Sequence, residues 1–228
     1  MKALVFVLVL VAGANLANAG ARSCKRGDFK ACAAACAKKD GESCKHLGHM
    51  YTRRDKGAPT PDDAKGLRAY QDGCTYKFGE ACGYAVAMAT DPKVSIRYFE
   101  KGCALKHGGS CISLGGMYYE GTNVPKDGNK AVPYFEKACT YGESGGCINL
   151  GMMEVQGDGI KAAPARGLKR LIAICDKGVG RGCTEAGVAW FKGEAGSVDK
   201  VKAHALFVRA CAAKESDQHG CQLAASAK

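Results

Sequence analysis

The sequence has no C-x-x-C pair, no G-x-G-x-x-G loop, no dense run of Lys or Arg, and no apolar stretch of membrane-spanning length beyond its first residues. Each absence removes a class of function. Dithiol oxidoreductases work through C-x-x-C with a lowered thiol pKa, so the cysteines here are read as structural. A nucleotide site needs its glycines between a strand and a helix, and the glycines here fall elsewhere. Without interleaved basic and aromatic residues, an exported chain gives no nucleic-acid footprint. The short C-x2-C and H-x3-H pairs of zinc sites are missing too. Cys24, Cys32, Cys36 and Cys44 are dense, and His46 and His49 stand beside them. Their spacing repeats that of the other cysteines, however, and disulfides are the simpler reading. His107, His204 and His219 are scattered, and no metal or cofactor is expected. Tryptophan occurs once, as Trp190.

The 228-residue chain opens with Met1 and Lys2, an apolar run over 3–13 and a small-x-small site at 17–19. This is the pattern of a secretory signal peptide over 1–19, cleaved after Ala19. Its apolar run is too short to cross a bilayer, and no other membrane span is expected. Arg22 and Ser23 argue against a lipid anchor on Cys24. Secretion or periplasmic location agrees with 14 cysteines, an even number, because oxidising compartments let thiols pair. The formal charge is +11, with cations spread along the whole chain. That points to a solvated basic surface or to anionic partners, either acidic proteins or envelope polymers. The expected state is a monomer.

Six cysteine pairs have the form C-x7-C: Cys24–Cys32, Cys36–Cys44, Cys74–Cys82, Cys103–Cys111, Cys139–Cys147 and Cys175–Cys183. The last pair, Cys211–Cys221, is wider by two. From Cys103 onward the first cysteine recurs every 36 residues, and a period of that length predicts stacked helical pairs. Four residues before the first cysteine stand Tyr70, Phe99, Phe135, Leu171 and Phe207; eight before it stand Gly66, Ser95, Ala131, Gly167 and Ala203. Large and small residues four apart share one helical face. Twelve before it come Asp62, Asp91, Asp127, Ala163 and Asp199, which mark a helix start because Asp is a preferred N-cap.

The other helix opens near the second cysteine. Small residues follow four positions later at Gly48, Gly115, Gly151 and Gly187, and core methionines six later at Met50, Met88, Met117 and Met153. Gly121, Gly157 and Gly193 suit helix C-caps. The C-x7-C thus spans a tight turn, and an enclosed glycine (Gly41, Gly79, Gly108, Gly142 or Gly178) is expected to reverse the chain. A bridge over so short a loop contributes on the order of 2.5 kcal/mol in the chain-entropy model. Cys24–Cys32 lacks a full preceding hairpin and is expected to staple a cap.

With these columns in place, "CISLGGMYYEGTNVPKDGNKAVPYFEKACTYGESGGC" (Cys111 to Cys147) resembles the Sel-1-like repeat, a tetratricopeptide-related helical hairpin. The C-x7-C in every unit is similar to the Helicobacter cysteine-rich branch of that family. The resemblance covers Ala31 to Leu223 and implies an all-α, right-handed solenoid of stacked hairpins with disulfide-linked helices and a concave face. On this reading 20–42 forms an N-terminal cap helix, and 43–226 forms about five hairpins and a C-terminal capping helix. Two departures stand out. The unit between Cys82 and Cys103 is seven residues short, so its first helix or its loop is truncated. Pro133 falls inside an expected helix and should kink it or delay its start.

The branch also carries penicillin-binding and weak β-lactamase descriptions, so the resemblance implies β-lactam hydrolysis as an alternative function. Serine enzymes of that kind need S-x-x-K and a K-T-G strand. "SVDK" from Ser197 to Lys200 spells the first, but Asp199 and Lys200 belong to the repeated helix start, and K-T-G is absent. The leading expectation is an exported scaffold that binds a protein, peptide or glycan of unknown identity. Its specificity positions are sought seven residues after the second cysteine, where the repeat changes character: Tyr51, Ala89, Tyr118, Glu154 and Trp190. Tyr51, Tyr118 and Trp190 read either as an aromatic ladder in the groove or as packing between repeats.

Overall fold

The computed structural model describes residues 24–25, 27–52, 60–89 and 91–226, and the expected signal peptide lies outside them. Among the described residues are twelve α-helices and no strand; Val179 and Glu215 form an isolated bridge. Helix α1 (Phe29–Ala37) and helix α12 (Gln218–Ser226) flank five hairpins. These are α2 (Gly41–Thr52) with α3 (Asp63–Thr75), α4 (Gly79–Ala87) with α5 (Pro92–Ala104), and α6 (Gly108–Glu120) with α7 (Gly128–Thr140). They continue with α8 (Ser144–Gln156) and α9 (Pro164–Asp176), then α10 (Gly180–Lys192) and α11 (Lys200–Ala212). Each helix packs only on its near neighbours, the arrangement of an α-solenoid. Helix α2 starts inside the span expected for the cap.

The helix starts follow from the Asp column. Asp62, Asp127 and Asp199 accept backbone N–H bonds from Lys65, Lys130 and Lys202 at 2.9, 3.0 and 2.9 Å. Asp91 caps α5 through Lys93 at 2.9 Å. Ala163 has no side chain to do so, and Pro164 begins α9 in its place. Within a hairpin, the bulky residue of the odd helix lies on the small residue of the even one. Tyr70 covers Gly48, Phe135 covers Gly115, Leu171 covers Gly151 and Phe207 covers Gly187. A Cβ at Gly115 would stand 2.8 Å from the Phe135 ring, so the close approach needs glycine. These four bulky side chains are at most 3% exposed, and each contributes on the order of 2 kcal/mol by burial.

Six of the seven disulfides join an odd helix to the next even one across the tight turn, with Cα–Cα distances of 4.5–4.7 Å. The seventh, Cys24–Cys32, ties the segment before α1 to α1. No free cysteine remains among the described residues. The unbridged interfaces inside the hairpins pack more extensively than the bridged ones between them, so the staples reinforce the weaker seams. Seven bridges fit an oxidising environment. No helix among the described residues is long and apolar enough to cross a membrane.

Three local expectations are refined. The chain reverses three residues after the first cysteine, where φ is positive: Gly142 (91°) and Gly178 (84°) take that place, but Lys39 (67°), Lys77 (65°) and Lys106 (63°) take it elsewhere. Gly41, Gly79 and Gly108 instead begin their helices, where the next unit's turn packs against them. The short unit loses residues from both its parts: α4 has 9 residues against 13 in α6, and its connection is 88–91 against 121–127. Helix α7 runs through Pro133 with its start undelayed, because Pro133 is exposed and water can serve the carbonyl that loses its donor.

Neighbouring even helices touch along the whole array, whereas the odd row falls away from itself beyond α7. The even helices therefore form the inner, concave row.

Candidate interaction surface

Tyr51, Tyr118, Glu154 and Trp190 sit one per hairpin, where the even helix turns into the odd one. Their carbonyls accept the N–H of the next helix's cap residue: Tyr51 from Asp62 (3.0 Å), Tyr118 from Asp127 (2.7 Å), Glu154 from Ala163 (2.7 Å) and Trp190 from Asp199 (3.0 Å). Lys65, Lys130 and Lys202 pair with the capping carboxylates at 3.1, 3.5 and 2.9 Å. The same ammonium groups lie 5.9, 5.8 and 4.3 Å from the ring centroids of Tyr51, Tyr118 and Trp190. Each junction is thus a ring, a cation over its face and a carboxylate holding the cation. Tyr51 also meets Phe29 edge-on at 5.4 Å, and Tyr118 stacks on Tyr134 at 5.7 Å.

In the fourth hairpin the junction changes as a unit. Ala163 replaces the capping Asp, Arg166 the Lys, and Glu154 the ring. Arg166 reaches Glu154 at 2.8 Å, and Arg170 donates to both its oxygens at 3.1 and 3.2 Å. Glu154 is 2% exposed. The expectation that Glu154 lines a groove is therefore corrected: the anion has moved from the cap to the helix end, and the cation has followed it.

The openings of the inner row lie on other columns. A cleft of about 380 Å³ between α4 and α6 is lined by Glu80, Tyr84, His107 and Ser113, with Phe99 of α5 behind them. A second, of about 210 Å³, lies between α6 and α8 and is lined by Gly116, Tyr119, Asn149 and Met152, with Arg181 from α10. A third, of about 530 Å³, lies between α10 and α12 and is lined by Val188, Phe191, His219 and Leu223. Apart from His107 and Phe99, these residues stand two before, and two, five and eight after, the second cysteine, one face of a helix. The signal was present in the sequence. Two after that cysteine the residues are His46, Tyr84, Ser113, Asn149, Glu185 and Leu223, whereas the next column stays Leu or Ala throughout.

Charge separates the two rows. Helices α4, α6 and α8 carry no Lys or Arg. Helices α5, α9 and α11 carry three each. The helical cations, which look evenly spread along the sequence, are thus collected mainly on the outer row, with Lys45 of α2 and Arg181 and Lys192 of α10 as exceptions.

His107 in the first cleft caps α6. Its Nδ1 accepts the Ser110 N–H at 3.3 Å and lies 2.8 Å from Ser110 Oγ. Ser110 is 1% exposed, so the pair reads as a cap rather than a nucleophile and base. Burial holds His107 below the ordinary value of 6.5, against the pull of Glu80 and Glu143. A histidine neutral when folded takes up a proton on unfolding, so its contribution holds above the ordinary value and is lost as pH falls below it. We expect the melting temperature to fall between about pH 7 and pH 5, and His107→Asn, which keeps a capping acceptor, to lessen that fall. An unchanged pH profile in the variant would refute this.

Ser197 is exposed in the connection before α11, with no hydrogen bond to Lys200, the first residue of that helix. Among the described residues no three His, Cys, Asp or Glu side chains converge on a metal-sized point.

A comparison with curated protein sequences finds no match. Among solved structures, a protective antigen of uropathogenic Escherichia coli strains that displays an SLR fold superposes with TM-score 0.72 at 18% identity, over 87% of this chain and 44% of that one. The chain thus spans under half of that relative's length. A Sel1 repeat protein from Oxalobacter formigenes superposes with TM-score 0.74 at 16% identity, over 87% of this chain and 84% of that one. Both show the fold, a right-handed α-solenoid of stacked hairpins. Helicobacter pylori cysteine rich protein B matches at 27% identity over 53% of this chain and 91% of its own, with TM-score 0.45, and this does not place the chain in that branch. The family model of the Sel1 repeat matches residues 69–107, 109–140, 144–169 and 182–214, more than half of the chain. With repeat columns, hairpin stack and family model in agreement, the chain belongs to the Sel1 repeat family.

Proposed function

We propose that this protein is an exported interaction scaffold whose inner row takes an extended, largely uncharged peptide segment of a partner protein. The observation that carries the reading is the series of clefts between successive even helices. Tyr84, Tyr119 and Phe191 supply amphipathic or apolar contact along it, and the absence of cations on α4, α6 and α8 favours a neutral ligand, the cations that line the clefts being Arg181, Lys192 and Lys200 at the α10–α11 end. Sel1 repeats typically serve protein–protein interaction, and solenoids bind through such extended concave surfaces. Ser197, exposed and unpartnered by Lys200, lends no support to a β-lactam reaction.

The test is a peptide library panned on disulfide-intact protein, followed by Gly116→Phe. A Cβ at Gly116 meets nothing within 4 Å, so the new ring fills the cleft without disturbing the helix. Selected peptides should lose about tenfold in affinity, with the melting temperature kept and little dependence on salt. Equal binding by wild type and variant would sink the reading.

A further inference from the structure

The outer row carries a second surface of opposite character. Arg166, Lys169, Arg170 and Lys177 rim a cleft of about 330 Å³ between α9 and the Cys139–Cys147 bridge, with Ala173 and Ile174 as its apolar part. Their spacing places the four cations along one side of α9 and its C-cap. The carboxylates nearby are already committed. Glu154 lies buried beneath the two arginines, and Asp176 is turned to Arg209 of α11 at 2.6 Å. Four cations therefore stand over one buried anion.

The buried anion does more than balance charge. Glu154 engages Nε of Arg166 and Nε with Nη2 of Arg170. A guanidinium has five N–H donors in a rigid fork, so both Nη groups of Arg166 remain for an incoming acceptor. The two arginines are held in place before any ligand arrives, which removes ordering cost from binding. Lys169 and Lys177 are exposed and free to follow the ligand. The cleft has the size of a small-ligand pocket, with room for a few side chains rather than a broad polymer face. Its apolar part, Ala173 and the disulfide, suits an aliphatic side chain between carboxylates.

We infer that this cleft binds an acidic peptide segment of a partner protein, seating Asp or Glu carboxylates on Arg166, Lys169 and Lys177 and an aliphatic side chain against Ala173 and the bridge. The site is independent of the inner-row groove. Charge-assisted bonds to carboxylate are the strong kind, and their reach makes the interaction salt-dependent.

A fluorescein-labelled Glu/Leu octapeptide, its Gln/Leu counterpart, dextran sulfate and phosphatidylglycerol vesicles are the probes, read by anisotropy and competition on oxidised protein. The Glu/Leu peptide should bind saturably at one site, and the Gln/Leu peptide about tenfold more weakly. Lys169→Ala with Lys177→Ala should also cost about tenfold. Lys93→Ala with Lys101→Ala on α5, the same change in net charge, should stay within about twofold, as should Gly116→Phe. Equal losses in the two lysine pairs would leave only a diffuse basic field and overturn the site. So would equal binding of the Gln/Leu peptide, or tighter binding of dextran sulfate or vesicles than of the Glu/Leu peptide. Unchanged melting temperatures in the lysine variants keep these outcomes distinct from misfolding.

Discussion

Reduced with dithiothreitol in the absence of denaturant, the protein loses its helical circular dichroism at temperatures the oxidised form tolerates. Each short bridge is worth on the order of 2.5 kcal/mol in the chain-entropy model. Six of them sit on the seams outside the hairpins, four between hairpins and two at the terminal helices, where packing is thinner than inside the hairpins. A whole domain has only about 5–15 kcal/mol of net stability, so losing several bridges is enough to unfold the array. A solenoid has no central core to hold units whose neighbours have parted. The experiment is a pair of thermal melts at 222 nm with and without reductant, alongside thiol titration of the oxidised protein in guanidinium. Matching melts would show that packing alone holds the seams, and several free thiols in the oxidised protein would show that the bridges are not formed.

The second large effect is expected at the fourth hairpin. Arg166→Ala with Arg170→Ala leaves the Glu154 carboxylate, 2% exposed, without a partner, and an uncompensated buried charge costs about 3–5 kcal/mol. The hairpin can instead be rewritten as its neighbour. Glu154→Tyr, Ala163→Asp, Arg166→Lys and Arg170→Tyr import the junction of the third hairpin, whose Tyr118, Asp127, Lys130 and Tyr134 occupy the same columns. There Lys130 pairs with Asp127 at 3.5 Å, and Tyr118 stacks on Tyr134 at 5.7 Å. The fourfold variant should unfold within about 1 kcal/mol of wild type, because an ion pair replaced by well-packed groups is often neutral or better. Chemical denaturation of the three proteins decides the matter. A stable double-alanine variant would mean that Glu154 is satisfied by other means, and a collapsed fourfold variant would mean that the junction is not a transferable unit.

The fold was legible because a solenoid repeats its instructions. The Asp column gave the helix starts, the large and small columns gave the hairpin contact, and the cysteine spacing gave the seams. What could not be read was three-dimensional order within a column. Lys39, Lys77 and Lys106 adopt positive φ, a conformation that lysine does not advertise, so in the first units the nearest glycine in the sequence lies two residues past the actual turn. Glu154 looked like a specificity residue because it departs from an aromatic column. Its meaning lies in Ala163 and Arg166, which change with it and only meet it in space. Candidate groove residues such as Gly116, Asn149 and Met152 were hidden by the opposite fault, since their columns vary so freely that no motif draws attention to them. The charge split between rows was equally invisible, because odd and even helices alternate along the chain and their contributions average out.

The covalent and the packed groupings of this chain are out of phase by one helix. Packing couples α2 with α3 and α6 with α7, whereas sulfur couples α3 with α4 and α7 with α8. The arrangement is that of overlapping courses in brickwork, in which every joint of one course is spanned by a brick of the other. A nick in a tight turn leaves its two sides chained together, and a nick in a long connection such as 121–127 leaves them joined by the best-fitted surfaces of the molecule. No single cut in the described turns and connections falls where both bonds are missing, so a chain built this way can be notched by proteases and still hold its length and curvature.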